Sequence, residues 1–419
     1  MKFVIKGGKK LEGEIAVKGF KNSATPIIAA TLLTEQTCLL HNIPKVGDVL
    51  TMLEILKSMG SKQRWVSETS LEIQNDSLEP EKLDQSLVNQ IRSSILLLGP
   101  MLARFRRFRF ITPGGCRIGV RPIDTHLESI RALGAKVEFD GQSGIYEISL
   151  SGFKTSEIFL KEFSVTATEN LLMLGFLRPL TVKLAAMEPH VWDLVKFLEK
   201  LGMRIHNSNS HTFTIHPPAA PGSSIEHTII NDPIEAVTLA ILAAAAKGKI
   251  NIIGTDAGHL EAPLQKLKEF GAVFKIKENI LSVDGPSSVL RSAKVQTLPY
   301  PGLPTDLQAP FGVLATQASG ASLIFDTLYE DRLKYIDELK KMGADAVILD
   351  SHRALITGPT MLHGAKIESL DLRAGATLVI AALVASGESE LGNIEQIDRG
   401  YENLDGRLRE LGADIKRVK

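Results

Sequence analysis

The sequence is poor in cysteine and has no excess charge of either sign. Its 419 residues include two cysteines, Cys38 and Cys116, so no disulfide framework can hold the fold, and we expect a reducing, cytoplasmic location. The formal net charge is zero, whereas proteins that bind nucleic acids or membrane surfaces usually carry a basic excess. We therefore expect neither a nucleic acid nor a membrane as partner.

Long apolar runs and common ligand motifs are missing too. No stretch reaches the roughly 18 uncharged apolar residues that a membrane span needs, and the charged start is typical of a first strand rather than a signal peptide. The ten histidines form no His-x-x-x-His or Cys/His cluster, so we expect no metal. The absence of Walker-type and Gly-x-Gly-x-x-Gly segments excludes the standard nucleotide-hydrolysis and dinucleotide sites.

The sequence does contain one short segment that is repeated six times. A leucine-rich helix end, an apolar residue and a glycine recur about every 70 residues, at Gly60, Gly134, Gly202, Gly271, Gly343 and Gly412. Each copy parses as helix, strand, helix, strand, strand, with the glycine capping the second helix. In the first copy these elements are Asn22–Leu33, Thr37–Leu40, Val46–Met59, Gln63–Val66 and Ser70–Ile73.

A repeat this long favours globular packing over an open array of units. Six copies, with 44% apolar residues, suit an α/β protein of two domains with three copies each. The Pro- and Gly-rich stretch 217–224 marks a crossover before the fourth copy. We predict one domain at 22–230 and a discontinuous one at 1–21 plus 231–419.

The starts of the repeated helices carry unexpected cations. Ser, Thr, Asp and Asn at these positions are ordinary caps, but a cation at a helix N-terminus opposes the helix dipole. Six cations lie at or near such starts: Lys21, Arg92, Arg121, Arg332, Arg373 and Arg399. If these ends converge, backbone N–H groups and guanidinium groups form a strong anion site. Several arginines predict a ligand with more than one anionic group.

The segment around Cys116 is the most unusual. Three glycines and two prolines surround the cysteine between Thr112 and Pro122, which is the freedom that a hinged lid requires. Arg117 and Arg121 flank the thiol and favour the thiolate. The sharp hypothesis is a reactive cysteine at the tip of a lid; the alternative is an incidental small residue in a turn. Cys38, in an apolar run, is expected in the core.

Together these segments resemble a known family. They are Lys21-Asn22-Ser-Ala-Thr-Pro26, Pro113-Gly-Gly-Cys116-Arg-Ile-Gly-Val-Arg121-Pro-Ile-Asp124, Ala186-Met-Glu188-Pro189, Pro304-Thr-Asp306-Leu-Gln308, Asp371-Leu-Arg373-Ala and Asp398-Arg399-Gly-Tyr401-Glu402. From the first strand to the last residues the chain is similar to the UDP-N-acetylglucosamine 1-carboxyvinyltransferases, a family of enolpyruvyl transferases. The resemblance implies two inside-out α/β barrel domains that close on substrate. The implied reaction transfers the enolpyruvyl group of phosphoenolpyruvate to the 3-hydroxyl of UDP-N-acetylglucosamine and releases phosphate.

The resemblance also implies roles by motif position. Cys116 would protonate the vinyl carbon or form a covalent phosphoenolpyruvate adduct, and Asp306 would accept the proton of the sugar hydroxyl. Lys21, Arg121 and Arg399 would hold the phosphate, and Arg332 and Arg373 the carboxylate. The remaining residues expected to bind substrate are Asn22, Arg92, Pro122, Ile123, Asp124, Thr125, Ser164, Val165, Thr166, Glu188, Asp232, Leu328 and Asp371. No cofactor and no metal are implied, and we expect a monomer.

The chain departs from the family pattern at Phe20, Met187, Pro233 and Val237. None of these changes removes a residue with a named chemical role. Two alternatives therefore stay open beside the leading hypothesis. One is an enolpyruvyl transferase for another alcohol, and the other is a catalytically silent protein that binds a UDP-sugar.

Overall fold

The six repeated glycines all adopt a left-handed backbone conformation in the computed structural model, which describes residues 1–115, 122–219 and 225–418. Their φ angles lie between 82° at Gly271 and 111° at Gly134. Only glycine adopts this conformation without strain, so each repeated glycine ends its helix. The helices that they end are Gly47–Ser58, Asp124–Leu133, Pro189–Lys200, Glu261–Glu269, Tyr335–Lys341 and Leu404–Glu410.

The described chain divides into two compact units. The first unit runs from Gly19 to Ile230. The second unit combines Met1–Lys18 with the chain from Asn231 to Val418. Within the described residues, no helix is long and apolar enough to cross a membrane.

Three helical segments form the centre of the first unit. They are Lys21–Ala30, Leu98–Phe105 with the 3₁₀ helix Arg92–Leu97 before it, and Val165–Leu174. Contacts join Lys21–Ala30 to Arg92–Leu97, and join Val165–Leu174 to both Arg92–Leu97 and Leu98–Phe105. Eight consecutive residues of the first helix, Ser23–Ala30, are buried. Shorter helical turns of this unit are Thr31–Leu33, Pro80–Lys82 and Gln85–Val88.

Three sheets complete the first unit. In spatial order, the first holds Ile225–Thr228, Cys38–His41, Leu71–Gln74 and Lys62–Trp65; the second Arg107–Ile111, Ile145–Ser149 and Lys136–Asp140; the third Arg204–Asn209, Thr212–His216, Leu180–Lys183 and Glu157–Phe159. The first and third sheets each combine antiparallel pairs with one parallel pair. Cys38 lies opposite Ile73 in the first sheet and is fully buried, as predicted.

The second unit repeats this plan. Its central helices are Pro233–Ala245, Gln308–Thr316 with the 3₁₀ helix Thr305–Leu307, and Leu372–Val384. The 3₁₀ helix Ala257–His259 and the short helix Glu395–Asp398 each precede the second helix of a repeat. Its sheets are Phe274–Lys277, Ile280–Asp284, Lys249–Ile253 and Glu12–Ala16; Val295–Gln296, Gly320–Phe325, Arg353–Gly358 and Asp345–Ile348; and Lys366–Glu368, Glu388–Gly392, Lys2–Lys6 and Asp414–Val418.

Each unit is therefore an inside-out α/β barrel, which confirms the fold class. The helix Pro233–Ala245 shows why, since all its residues from Ile234 onward are buried. A helix that is buried all round needs other elements on every side. The strands instead alternate buried and more exposed residues, as in Ile280–Asp284, so their sheets bury one face on the helices.

Two expected helix starts are wrong. Arg332 lies in a turn three residues before the helix Tyr335–Lys341. Arg399 directly follows the short helix Glu395–Asp398, and the longer helix begins only at Leu404. The break lies at Asn403, whose φ of 45° is left-handed and cannot continue a right-handed helix.

A buried ion pair ties the ends of the second unit together. Arg407 Nη1 donates to Glu235 Oε1 at 2.5 Å, and Arg407 Nη2 donates to the carbonyl oxygen of Ala16 at 2.6 Å. The other carboxylate oxygen of Glu235 accepts the Lys18 amide at 2.8 Å. Both charged side chains are less than one-tenth exposed. Removing one partner would leave the other charge buried and unpaired.

We predict that Arg407→Met lowers the free energy of unfolding by about 3 kcal/mol, because Glu235 loses its partner in a buried setting. Arg409→Met is the matched control on the same helix. Arg409 is half exposed and pairs with Asp405 at 3.0 Å, so its loss should change stability by at most about 1 kcal/mol. Urea unfolding followed by circular dichroism measures both. Equal effects of the two variants would contradict the assignment.

Candidate active site

The starts of the three central helices of the second unit converge on one charged cluster. Asp306, in the 3₁₀ turn before the middle helix, accepts hydrogen bonds from two arginines. Arg332 Nη2 lies 2.8 Å from its Oδ1, and Arg373 Nε lies 3.1 Å from its Oδ2. Arg373 is only 3% exposed and Arg332 9%, while Asp306 is 23% exposed. The structure thus brings together three predicted site residues from two repeats.

Asp232 joins this cluster from the start of the first central helix. Its carboxylate caps that helix by accepting the amides of Ile234 and Glu235 at 2.8 and 3.1 Å, and lies 3.7 Å from Arg373 Nη2. Burial raises the pKa of Asp232 to about 6, although the Arg373 charge opposes the rise. Asp232 therefore keeps its proton to higher pH than an ordinary aspartate does, beside a permanent cation.

Arg373 is buried with part of its donor capacity unused. Asp371 caps the helix that carries it, accepting the Arg373 amide at 2.8 Å. The guanidinium carbon lies 5.3 Å from the centre of the Tyr401 ring, within cation–π range. Among the described residues, Arg373 Nη1 and Nη2 have no hydrogen-bond acceptor. Buried guanidinium donors of this kind are suited to bind a carboxylate or a phosphate.

Asp326 fixes the backbone around this cluster. Its Oδ1 accepts the Leu328 amide at 2.9 Å and the Tyr329 amide at 3.2 Å, and its Oδ2 accepts the Thr305 hydroxyl at 2.5 Å. Thr305 Oγ1 in turn accepts from Arg332 Nη1 at 2.8 Å. The predicted site residue Leu328 is thus held in a turn that belongs to the same network.

Arg399 lies at the end of the short helix Glu395–Asp398. Its Nη1 donates to Gln396 Oε1 at 3.2 Å, one turn back in the short helix. Two residues later Tyr401 contacts Arg373, so one short segment carries both the cation and the aromatic ring.

In the first unit, the predicted site residue Lys21 begins a central helix. Its Nζ donates to Asp48 Oδ2 at 2.7 Å, with side chains only 12% and 7% exposed. Asp48 offsets the cation that opposes the helix dipole. Asn22 follows Lys21 and is partly exposed.

Below this helix start lies a buried polar network. Ser23 donates to Asp193 Oδ2, which also accepts the Ile230 amide at 3.1 Å, while His227 Nε2 lies 3.0 Å from Asp193 Oδ1. Burial alone would raise the pKa of Asp193, but the hydrogen bonds from His227 and Ser23 hold it below its usual value. The network anchors the residues next to Lys21 and Asn22.

The start of the glycine-rich segment packs closely on Arg92. A Cβ at Gly114 would meet the Asn89 carbonyl oxygen at 1.8 Å, and one at Gly115 would meet the Arg92 amide nitrogen at 2.9 Å. These two glycines therefore permit close backbone approach. Arg92 Nη2 donates to the Pro122 carbonyl oxygen at 3.0 Å, across the segment. Cys116, Arg117 and Arg121 lie outside the described residues.

Two further helix starts of the first unit are linked. Ile123 is buried, Asp124 is exposed at the start of its helix, and Thr125 donates to Glu162 at 2.6 Å. One residue later, His126 Nε2 lies 2.8 Å from the Thr166 hydroxyl. Thr166 belongs to the predicted group Ser164, Val165 and Thr166, whose first member caps the helix.

Glu188 immediately precedes the next helix in the same unit, and its charge affects a carboxyl that was not predicted as a site residue. Glu169 is 1% exposed within the central helix Val165–Leu174. Burial, and to a smaller extent the Glu188 charge, raises the pKa of Glu169 well above its ordinary value. It is the single charged residue of the helix Val165–Leu174, and this was the signal that could have identified it.

Three other contributors also escaped prediction as site residues. Asp48, Asp326 and Tyr401 each hold a predicted cation or the turn beside it. Among the described residues, no group of three His, Cys, Asp or Glu side chains is placed to hold a metal ion.

Comparison with known proteins identifies the family. The sequence profile described as EPSP synthase (3-phosphoshikimate 1-carboxyvinyltransferase) matches residues 5–408. The UDP-N-acetylglucosamine 1-carboxyvinyltransferase 1 of Carboxydothermus hydrogenoformans is 43% identical over 100% of this chain and 98% of its own length. The UDP-N-acetylglucosamine 1-carboxyvinyltransferase of Halothermothrix orenii is 41% identical over the full length of both chains.

Solved structures show the same fold. The enolpyruvyl transferase NikO from Streptomyces tendae superposes with a TM-score of 0.90 at 23% identity, over 100% of this chain and 98% of that one. EPSP synthase from Acinetobacter baumannii gives 0.77 at 18% identity, over the full length of both. The chain therefore belongs to the UDP-N-acetylglucosamine 1-carboxyvinyltransferases, within the enolpyruvyl transferase family.

Proposed function

We propose that this protein transfers the enolpyruvyl group of phosphoenolpyruvate to the 3-hydroxyl of UDP-N-acetylglucosamine and releases phosphate. This is the first committed step of peptidoglycan synthesis. The observation that carries the proposal is the cluster in which Arg332 and Arg373 flank Asp306. It offers guanidinium groups for a substrate carboxylate beside a carboxylate that can act as a base.

The anionic groups of phosphoenolpyruvate match the cations on the chain. Arg332 and Arg373 would bind its carboxylate, and the unused Nη1 and Nη2 donors of Arg373 support this role. Lys21, Arg121 and Arg399 would bind its phosphate, an assignment that rests on the motif resemblance. A substrate with two anionic groups accounts for the surplus of cations at the helix starts.

The chemistry needs a base and a proton donor. As the hydroxyl oxygen bonds to carbon 2 of phosphoenolpyruvate, Asp306 would take the hydroxyl proton, and a donor protonates carbon 3. Positive character develops at carbon 2, which a nearby carboxylate stabilises. Loss of phosphate, and of one proton from carbon 3, then restores the vinyl group. By motif position, Cys116 is the proton donor or the residue that forms a covalent adduct.

The UDP-sugar would bind to residues of linked helix starts. The hydrogen bond between His126 and Thr166 places the segments 122–125 and 164–166 side by side. The further residues proposed for this substrate are Asn22, Arg92 and Leu328. Glu188, Asp232 and Asp371 are also proposed to bind substrate.

A cytoplasmic, monomeric enzyme completes the proposal. The scarcity of cysteine supports a reducing compartment, and Cys38 is a buried free thiol. The monomeric state rests on the family resemblance. Since the product enters cell-wall synthesis, loss of the enzyme would affect cell shape and division.

The central prediction concerns phosphate release. Purified protein should release phosphate from phosphoenolpyruvate with UDP-N-acetylglucosamine but not with shikimate 3-phosphate. Cys116→Ala should lower turnover at least about 100-fold, since it removes a proton donor, whereas Cys38→Ala should not. Release with another alcohol only would contradict the proposed acceptor. No release with any acceptor would indicate a silent UDP-sugar-binding protein.

A second prediction separates the two thiols. The epoxide fosfomycin mimics phosphoenolpyruvate, and a thiolate opens its ring while the ring oxygen takes up a proton. Mass spectrometry should find the label on Cys116, and faster when UDP-N-acetylglucosamine is present. Cys38 should remain unlabelled because burial raises its pKa to about 12, which leaves almost no thiolate at neutral pH. A protein labelled on Cys38 alone would disprove the reactive Cys116.

A third prediction follows from Asp232. Above about pH 6 the Asp232 carboxylate is ionised, and its charge weakens the attraction of Arg373 for an anionic substrate; below about pH 6 it is protonated and this effect is lost. The KM for phosphoenolpyruvate should therefore rise about fivefold or more between pH 5.5 and 7.5. Asp232→Asn should remove this rise, so that only the titration of the substrate phosphate remains. An identical pH profile in the variant would refute the role of Asp232.

A further inference from the structure

In this structure the residue proposed as the base occupies the arginines proposed for the substrate carboxylate. Each oxygen of Asp306 accepts from a different guanidinium, Arg332 Nη2 at 2.8 Å and Arg373 Nε at 3.1 Å. A carboxylate bridging two buried guanidinium groups has the geometry that a bound substrate carboxylate would adopt. Asp306 is thus an internal occupant of its own substrate's subsite.

This arrangement makes Asp306 a poor base. Two guanidinium groups at hydrogen-bonding distance favour the ionised carboxylate and so weaken its tendency to accept a proton. The interaction is reciprocal: burial lowers the pKa of Arg332, but the charges of Asp306, Asp371 and Asp326, together with the Asp306 hydrogen bond, hold that pKa above its ordinary value. As long as both contacts persist, removal of a proton from a sugar hydroxyl is disfavoured.

Asp306 is also the member of the cluster best placed to leave. It is 23% exposed, whereas Arg373 is 3% and Arg332 9% exposed. Arg332 remains anchored without it, since Nη1 donates to Thr305, which is in turn held by Asp326. Arg373 remains anchored by the neighbouring Asp232 carboxylate and the Tyr401 ring. The arginines form a fixed platform, and the carboxylate of Asp306 is the exchangeable part.

We propose that the carboxylate of phosphoenolpyruvate displaces Asp306 from Arg332 and Arg373, so that binding of this substrate releases the base. No covalent bond changes in this step; one carboxylate replaces another on the same donors. The substrate carboxylate then neutralises the two arginines, and Asp306 becomes more basic beside the reacting centre. The inference rests on the proposed function, because it takes phosphoenolpyruvate as the ligand of these arginines.

The exchange has a measurable consequence for affinity. If Asp306 occupies the arginines for about nine-tenths of the time, the apparent dissociation constant of a carboxylate ligand is raised about tenfold. Removing the competitor should therefore tighten binding of phosphoenolpyruvate while it abolishes the base. A residue that only catalysed, or only stabilised the arginines, would leave affinity unchanged or weaken it.

The test is calorimetric titration of phosphoenolpyruvate and inorganic phosphate into Asp306→Asn. All proteins carry Cys116→Ala, so that no covalent adduct contributes. Asp306→Asn should bind phosphoenolpyruvate about tenfold more tightly than the parent, with phosphate affinity within about twofold. Asp306→Ala, which removes the acceptor completely, should tighten binding at least as much.

Asp331→Asn is the matched control for loss of a negative charge. Asp331 is exposed, precedes Arg332 and pairs only with Lys334 at 3.3 Å among the ion pairs of the described residues. Its substitution should change neither affinity by more than about twofold.

The outcomes separate this inference from the proposed function. Unchanged or weaker phosphoenolpyruvate binding by both Asp306 variants, with the parent still binding, would overturn the exchange and place the ligand on the open Arg373 donors. If the Asp306 variants bound phosphoenolpyruvate and phosphate more tightly by the same factor, the gain in affinity would come from the lost negative charge alone. That result would also overturn the exchange. Failure of the unmodified protein to release phosphate with any acceptor would instead overturn the proposed function, and the exchange with it.

Discussion

The central helices are buried on every side, and this constraint decides where polar chemistry can lie. Along Pro233–Ala245 and Leu372–Val384, nearly every residue is buried against other elements. A polar side chain in the middle of such a helix needs a buried partner, whereas the first turn has free amides and can hold a carboxylate. Asp232 and Asp371 take those positions and cap their helices through backbone amides. The threefold repeat then brings several such starts to one place.

That convergence also explains how cations persist where the helix dipole disfavours them. Lys21 is offset by Asp48, and Arg373 by two carboxylates from other repeats, Asp232 and Asp306. Lys21 and Arg373 are thus tolerated near their helix starts because acidic residues from other elements lie beside them. The charges of Lys21 and Arg373 are thus paired inside the fold, and an anionic ligand must compete with carboxylates for them.

The repeat made the fold predictable. A glycine that must adopt positive φ is a local requirement, so six of them indicate six helix ends without any knowledge of tertiary contacts. The starts of the helices were less predictable. Arg399 was placed at a helix start, yet the left-handed Asn403 delays the helix to Leu404, and nothing in the adjacent sequence required that break.

The partners within the site were harder still to predict. Asp306 and Arg373 are 67 residues apart, and His227 and Asp193 are 34 apart, so each pair exists only after the repeats have packed. Charge alone identified the arginines as unusual, because a cation at a helix start conflicts with a local rule. The carboxylates that pair with these arginines are ordinary cap and turn residues. The sequence around them therefore gave no sign of a functional role.

The carboxylates and arginines of the charged cluster connect the fold of the second unit to the proposed chemistry. Three helix starts supply Asp232, Asp306 and Asp371, while Arg332 and Arg373 supply two cations. Of these carboxylates, Asp232 and Asp371 also bind backbone amides of their own helices, so their departure would leave helix ends uncapped. Asp306 caps no helix, and both of its carboxylate oxygens accept from the arginines. The fold therefore leaves one carboxylate free to exchange without loss of secondary structure, and it is the carboxylate that the chemistry requires to act on a proton.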